Sequence, residues 1–93
     1  MRVIQSSHFA RAIKRLHHQE KELLDKAVLA LIENPEAGDL KGGDLTGVRV
    51  HKFQVNLNRM LLAYTYNKDL ALITLLGYGS HENFYRDLKK LIN

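Results

Sequence analysis

Apolar residues recur at helical spacing in the first third of the chain, after a short stretch at residues 2–5 that predicts a strand. Ser7 is a favourable N-cap for the first helix, and Pro35 follows the end of the second. The polar stretch 17–20 between them is predicted to form a bend. The apolar positions of the two helices are Phe9, Ile13 and Leu16, then Leu24, Ala27, Val28 and Leu31. Two amphipathic helices in succession predict a helical hairpin.

Glycine and turn residues dominate the centre of the chain. Residues 35–47 hold four of the six glycines and the only proline, which predicts a loop. Beyond this loop the apolar pattern becomes that of strands, with turn residues at 56–58 and 67–69. The predicted strands are 48–55, 59–66 and 70–76. Short turns between successive strands predict an antiparallel meander.

The end of the chain predicts a last helix. Gly77 and Gly79 are expected to end the third strand, and Ser80 is a good N-cap for this helix. Its apolar stripe is Phe84, Leu88, Leu91 and Ile92. Because helices and strands are segregated along the sequence, we predict an α+β fold in one domain, residues 1–93. In it an N-terminal helical hairpin and a C-terminal helix pack on a small antiparallel β-sheet.

Composition limits the possible classes of protein. Of the 93 residues 45% are hydrophobic and none is cysteine, so the chain folds without disulfides, thiolate metal sites or a cysteine nucleophile. The five histidines are scattered without metal-ligand spacing, and no cofactor is predicted. The N-terminus lacks the apolar core of a signal peptide and no run is long enough to span a bilayer, so a soluble cytoplasmic protein is expected.

The positive charge is concentrated in the middle of the chain. The formal net charge is +4. Between residues 41 and 59 the chain carries four cations against one acid, Asp44. The cations are Lys41, Arg49, Lys52 and Arg59. An anionic partner is therefore indicated.

Two patterns suggest chemistry. His81 and Tyr85 are four residues apart on the predicted last helix, so they lie one above the other and form a candidate proton-transfer pair. Along the strand 48–55, side chains alternate between faces, so Lys52 and His51 point to opposite sides of the sheet. Taken alone, each of these residues also fits an ordinary surface or packing role.

The chain resembles the RelE/ParE superfamily of bacterial toxins from type II toxin–antitoxin operons. The resemblance lies in the order of elements and in the glycine-rich loop leading to residues 47–50 (GVRV). It lies also in Arg59 opening the strand 60–64 and in the ending 76–91 (LGYGSHENFYRDLKKL). This ending is most similar to the RelE and YafQ branches, which cut mRNA in the ribosomal A site. The ParE branch instead poisons DNA gyrase.

The resemblance implies roles for single residues. Tyr85 matches the tyrosine that RelE-like enzymes use in proton transfer, although YafQ-like members have phenylalanine there. His81 matches the YafQ histidine, where RelE-like members carry an arginine in the vicinity. Lys52 matches an active-site lysine of RelE or histidine of YafQ, and Arg59 matches the family arginine that binds phosphate. Lys41 and Arg49 are predicted as secondary RNA or ribosome contacts.

The function implied is metal-independent cleavage of mRNA on the ribosome, through attack of a 2′-hydroxyl on the adjacent phosphate. The partners implied are a cognate antitoxin protein, the ribosome and mRNA. Two alternatives stay open: a non-catalytic gyrase poison of the ParE type, and an RNA- or ribosome-binding module without catalysis.

Overall fold

The computed structural model describes the backbone of residues 1–92 and, within that range, all side chains except those of residues 82, 83 and 92. The elements are β1 (Arg2–Gln5), α1 (Ser7–Ile13), α2 (His18–Glu33), β2 (Asp39–Leu40), a 3₁₀ turn (Gly43–Leu45), β3 (Arg49–Val55), β4 (Asn58–Asn67), β5 (Leu72–Ser80) and α3 (His81–Ile92). None of the described helices is long and apolar enough to cross a membrane.

The five strands form one mixed sheet in the order β1-β5-β4-β3-β2. Strand β1 runs parallel to β5, and the other neighbours are antiparallel. The α+β class and the meander β3-β4-β5 are thus confirmed. Two details of the prediction are corrected. The sheet is mixed because β1 joins it alongside β5, and a strictly N-terminal helical hairpin is not found because β1 precedes both helices.

Helices α1 and α2 cover one face of the sheet. Ser6, not Ser7, caps α1: its hydroxyl accepts the Phe9 N–H at 3.0 Å and donates to the Leu76 carbonyl at 3.1 Å. The predicted bend at 17–20 is wrong, because α2 already begins at His18. The buried residues of this face, called here the first core, are Phe9, Leu24, Ala27, Leu31, Leu62, Tyr64, Ile73, Leu75 and Tyr78.

Helix α3 and the glycine-rich loop cover part of the other face. The buried residues there, the second core, are Leu45, Val48, Val50, Leu61, Ala63, Phe84 and Leu88. Of the predicted apolar stripe of α3, Phe84 and Leu88 are buried, whereas Leu91 is 43% exposed. Ile92 lies outside the described side chains. This face carries the candidate site.

Strand β5 continues through the two glycines that were expected to end it. Gly77 pairs with Ala63 and Gly79 with Leu61 on β4, so the neighbouring strand keeps the backbone extended to Ser80. The predicted start at residue 70 is also wrong, since Ala71 has a φ of 50° and belongs to the preceding turn. As a result β5 passes directly into α3, and His81 is the first helical residue.

Candidate functional site

The structure brings His81 and Tyr85 together on α3. Their ring centroids are 5.9 Å apart and the rings meet edge-on, at an interplanar angle of 76°. His81 is exposed and Tyr85 is half-buried against Phe84, with centroids 5.2 Å apart. This edge-to-face contact fixes the Tyr85 ring while leaving the pair open to solvent.

Lys41 joins this pair from the loop. Its ammonium nitrogen lies over the Tyr85 ring, 5.6 Å from the centroid, which places a positive charge on the negative face of the ring. The Lys41 N–H donates to the Val48 carbonyl at 2.8 Å, so the backbone at Lys41 is tied to the start of β3. The structure therefore adds Lys41 to the predicted His81–Tyr85 pair.

The loop between β2 and β3 is shaped by two glycines in the left-handed region. Gly43 has a φ of 60° and Gly47 a φ of 90°, conformations that other residues adopt only with strain. Between them the Thr46 hydroxyl donates to the Gly43 carbonyl at 2.6 Å. A pocket of about 610 Å³ lies between this loop and α3. Its lining is Lys41, Gly42, Gly43, Asp44, Leu45, Tyr85 and Lys89.

A buried tyrosine anchors the turn before the loop. The Tyr64 hydroxyl donates to the Pro35 carbonyl at 2.8 Å and accepts the Gly38 N–H at 2.9 Å. Burial raises the pKa of Tyr64, and the hydrogen bond from Gly38 partly opposes that shift. These bonds hold the segment that leads through β2 to Lys41.

Arg49 belongs to this anchor and not to the His81–Tyr85 pair. Its guanidinium donates to the carbonyls of Glu36 at 3.1 Å and of Gly38 at 3.0 Å. Arg49 and Val50 are neighbours on β3, so their side chains point to opposite faces of the sheet. Because Val50 lies in the second core, Arg49 is on the face opposite to Tyr85. The structure thus gives Arg49 a structural task and does not bring it to the candidate site.

Lys52 and Arg59 lie on the same face of the sheet as the second core. Lys52 is two residues beyond buried Val50 on β3 and pairs with Leu61. Arg59 pairs with Gln54, so it is a diagonal neighbour of Lys52 across the two strands. Both side chains are exposed. Among the described residues, no hydrogen bond or ion pair joins these two cations to His81 or Tyr85.

His51 points to the other face, as strand alternation predicts. Its ring stacks on Phe53, with centroids 6.0 Å apart, and Phe53 packs against the first core. Burial lowers the pKa of His51, because the charged form loses water. His51 therefore lies away from the candidate site, on the face of α1 and α2.

The sequence did not predict two charged residues of the pocket, Lys89 and Asp44, or one hydrogen bond on the other face of the sheet. Lys89 is four residues beyond Tyr85, a helical spacing that could have revealed it, whereas Asp44 has no such signal. Behind the sheet, the Tyr78 hydroxyl donates to a Glu20 carboxylate oxygen at 2.5 Å. Burial, then the hydrogen bond and charge of Glu20, raise the pKa of Tyr78 well above its usual range.

The arrangement offers proton transfer beside a set of cations. An imidazole and a phenol lie in contact, with Lys41 over the phenol ring, and Lys52 and Arg59 stand on the same side of the sheet. Among the described residues, no group of three or more His, Cys, Asp and Glu side chains could hold a metal ion. An imidazole and a phenol beside cations suit proton transfer at an anionic centre.

Solved structures share this fold. The chain matches a chain of the intact RelBE toxin–antitoxin complex of Escherichia coli with a TM-score of 0.70 and 15% identity, over 87% of this chain and 96% of that one. For the isolated E. coli RelE toxin the TM-score is 0.69 and the identity 19%, over 99% and 98%. For the archaeal RelE–RelB complex of Pyrococcus horikoshii the values are 0.61 and 16%, over 87% and 94%. With identities this low, the TM-scores show a common fold.

The sequence comparisons give the family. No curated protein sequence matches this chain. The family described as the ParE-like toxin of type II bacterial toxin–antitoxin systems matches residues 3–89, nearly the whole chain. The chain therefore belongs to the ParE-like toxins of type II toxin–antitoxin systems, within the RelE/ParE superfamily.

Proposed function

We propose that this toxin is a ribosome-dependent mRNA endonuclease. The observation that carries the proposal is the contact between His81 and Tyr85, with the Lys41 ammonium over the tyrosine ring. A toxin that acts only by binding has no need of two proton-carrying side chains in edge contact at an open helix start. RNA cleavage without a metal needs such a pair.

The proposed reaction needs two proton transfers, one from the attacking 2′-hydroxyl and one to the leaving 5′-oxygen. The 2′-hydroxyl of a nucleotide attacks the adjacent phosphorus atom and loses its proton to a base. The bond to the 5′-oxygen of the next nucleotide breaks, and that oxygen takes a proton from an acid. The products are a 2′,3′-cyclic phosphate and a 5′-hydroxyl. Tyr85 and His81 are the proposed proton-transfer groups, and separate substitution of each residue shows which of them the reaction requires.

Cations stabilise the charge that builds up on the phosphate during this attack. Lys52 and Arg59 are proposed for that task, because they are exposed diagonal neighbours on the face of the sheet that carries α3. The planar fork of Arg59 suits two phosphate oxygens at once, and Lys52 supplies a compact charge. The substrate phosphate would lie between these two cations and the His81–Tyr85 pair and contact both.

A second candidate function is binding without catalysis, with DNA gyrase as the target. The family to which the chain belongs is named for ParE toxins, and this favours the alternative. The two functions are separated by running two assays on the same purified protein. One adds it to a reconstituted translation reaction and maps the mRNA ends, and the other measures supercoiling by gyrase.

Cuts at ribosome-occupied codons, with supercoiling intact, are the expected result. Intact mRNA together with inhibited supercoiling would replace the endonuclease by the gyrase poison. Intact mRNA with binding to ribosomes that weakens steeply in salt would indicate an RNA- or ribosome-binding module instead. A thermal melt of the same preparation ensures that a negative result comes from folded protein.

The partner proposed is a cognate antitoxin. The candidate face exposes Lys52 and Arg59, and the pocket beside it holds two further lysines, Lys41 and Lys89. An acidic, partly disordered protein segment fits such a face, because opposite charge speeds association and the segment orders on binding. Covering this face would also exclude RNA from the proposed site.

A further inference from the structure

The pocket between the glycine-rich loop and α3 combines three kinds of recognition group. Two lysines line it, Lys41 from the loop and Lys89 from α3. The Tyr85 ring is an aromatic wall, and Asp44 adds a carboxylate. With a volume of about 610 Å³ the pocket has the size of a small-ligand site. The net charge of these groups is positive, which favours an anion.

The loop backbone is open to a ligand. A Cβ atom placed on Gly42 or on Gly43 would meet nothing within 4 Å. In the part of the chain that the structure describes, neither of their N–H groups donates to a protein backbone carbonyl outside helices and strands. Free N–H groups of a glycine-rich turn are good donors to phosphate oxygens. The loop and the two lysines together therefore suit a phosphate group.

Asp44 is able to recognise a different part of the ligand. Its carboxylate is exposed and, among the described residues, takes part in no ion pair or side-chain hydrogen bond. An ionised carboxylate only accepts hydrogen bonds, so it selects O–H or N–H donors. A nucleotide combines a phosphate, a flat ring and O–H or N–H donors, and RNA is the substrate of the proposed function. The ribose hydroxyls and the donor edge of a base are the two groups that Asp44 can bind.

We propose that this pocket is a nucleotide subsite, in which Lys41, Lys89 and the loop N–H groups hold a phosphate of RNA and Asp44 selects its neighbouring sugar or base. This inference deepens the proposed function and rests on it. The nucleotide bound here is the one next to the scissile phosphate, since Tyr85 belongs both to the pocket and to the proton-transfer pair. Asp44 and Lys89 are then specificity and binding residues, outside the proton transfer itself.

The test is a titration of the free toxin followed by NMR. The probes are the four 5′-ribonucleoside monophosphates, their 2′-deoxy forms and inorganic phosphate, at low salt. Ribonucleotides are expected to shift the amides of residues 42–45 and Tyr85. Lys89→Ala should weaken their binding by about twofold to fivefold, the range of a single exposed charge contact. Lys90→Ala is the matched control, because Lys90 is also an exposed lysine of α3 but does not line this pocket.

Asp44→Asn keeps the shape of the side chain and removes its charge. If Asp44 binds ribose, the variant loses the preference for ribonucleotides over deoxyribonucleotides. If Asp44 binds a base edge, the variant instead loses the preference among the four bases. Tighter binding of every probe to Asp44→Asn, with all preferences unchanged, would overturn the role of Asp44, since the carboxylate would then act by repulsion only.

Other outcomes overturn the subsite as a whole. These are shifts that map elsewhere, equal weakening by Lys89→Ala and Lys90→Ala, or shifts of the pocket amides by an acidic peptide such as hexaglutamate but by no nucleotide. Because the titration uses free protein without ribosomes, its failure is separate from that of the endonuclease. Cleavage of mRNA without nucleotide binding at residues 42–45 rejects the subsite alone, whereas binding without cleavage rejects the proposed function alone.

Discussion

The hydroxyl of Tyr64 accepts the backbone N–H of Gly38 at 2.9 Å, so close that residue 38 has no room for a side chain. A Cβ atom on Gly38 would lie 2.8 Å from both Cε1 and the hydroxyl oxygen of Tyr64. Tyr64 is fully buried, with 0% of its surface exposed, and cannot swing aside without opening the first core. This contact sets the turn that leads to Lys41 and the glycine-rich loop.

Gly38→Ala should therefore destabilise the toxin by about 1–3 kcal/mol, the usual cost of forcing extra atoms into a packed site. Urea unfolding followed by circular dichroism measures the change. Gly42→Ala is the control, since a Cβ there meets nothing within 4 Å, and its free energy of unfolding should change by less than about 1 kcal/mol. Equal stability of the two variants would show that the Tyr64 ring yields more easily than its burial implies.

The burial of Tyr78, together with its hydrogen bond to Glu20, predicts a loss of stability in alkali. The pKa of Tyr78 is raised in the folded protein and ordinary, near 10, in the unfolded chain. The unfolded chain therefore binds fewer protons above about pH 10, so the free energy of unfolding is full below that pH and falls as the pH rises further. The pKa of Tyr64 is also raised, so it contributes in the same window.

Tyr78→Phe should reduce this alkaline slope but not abolish it. Glu20→Gln keeps a hydrogen-bond acceptor and removes the charge, so its slope should lie between those of the wild type and Tyr78→Phe. Urea midpoints measured between pH 8 and pH 11 provide the comparison. An unchanged slope in Tyr78→Phe would mean that the hydroxyl ionises as readily in the folded protein as in the unfolded chain.

The two faces of β3 predict opposite results for neighbouring residues. Lys52→Ala should slow mRNA cleavage, because it removes a proposed phosphate contact on the candidate face. His51→Ala should leave cleavage intact and lower the melting temperature by a few degrees at most, because His51 packs on Phe53 on the other face. Cleavage rates and melting temperatures of both variants are needed together. A folded but inactive His51→Ala beside an active Lys52→Ala would show that the site lies on the other side of the strand.

The candidate face also predicts a stable toxin–antitoxin complex. Co-expressed with the product of the adjacent gene, the toxin should co-purify with that neighbouring protein, melt at a higher temperature and no longer arrest growth. Lys52→Glu combined with Arg59→Glu should weaken the complex, since it reverses the charge of the proposed contact. Failure of the neighbouring protein both to co-purify and to relieve arrest would contradict this prediction.

Periodicity in the sequence was enough for most of the fold. The apolar spacing of α2 and the alternation of β3 predicted their faces, because α2 packs on the first core, whereas β3 places Val50 in the second core and Phe53 against the first. The continuation of β5 through Gly77 and Gly79 was not predictable in this way. Those glycines are held by pairing with β4, a contact between distant parts of the chain that no local pattern reveals.

In the candidate site, too, local patterns predicted some contacts, whereas contacts between distant parts of the chain were not predictable. The contact of His81 with Tyr85 follows from their spacing of four residues, and the opposite directions of Lys52 and His51 follow from strand alternation. The task of Arg49 could not be predicted, because the carbonyls of Glu36 and Gly38 reach it only through the fold. The contact of Lys41 with Tyr85 is likewise tertiary.

Substitutions of the pair itself separate the two possible proton-transfer schemes. Tyr85→Phe removes one oxygen and keeps the ring against Phe84 and under Lys41, so folding stability should change little. If Tyr85 transfers a proton, cleavage should fall by roughly 10²–10⁴-fold. If the tyrosine only packs, as the phenylalanine of YafQ-like members implies, Tyr85→Phe should be nearly silent and His81→Ala should carry the loss.

The most direct test of the account is the rate at which the folded toxin cuts mRNA on ribosomes, measured for the wild type, Tyr85→Phe and His81→Ala in one reconstituted translation reaction. The account predicts cuts at ribosome-occupied codons by the wild type, and a loss of roughly 10²–10⁴-fold in at least one of the two variants at an unchanged melting temperature. Intact mRNA with the folded wild type, or wild-type rates in both variants, would contradict it.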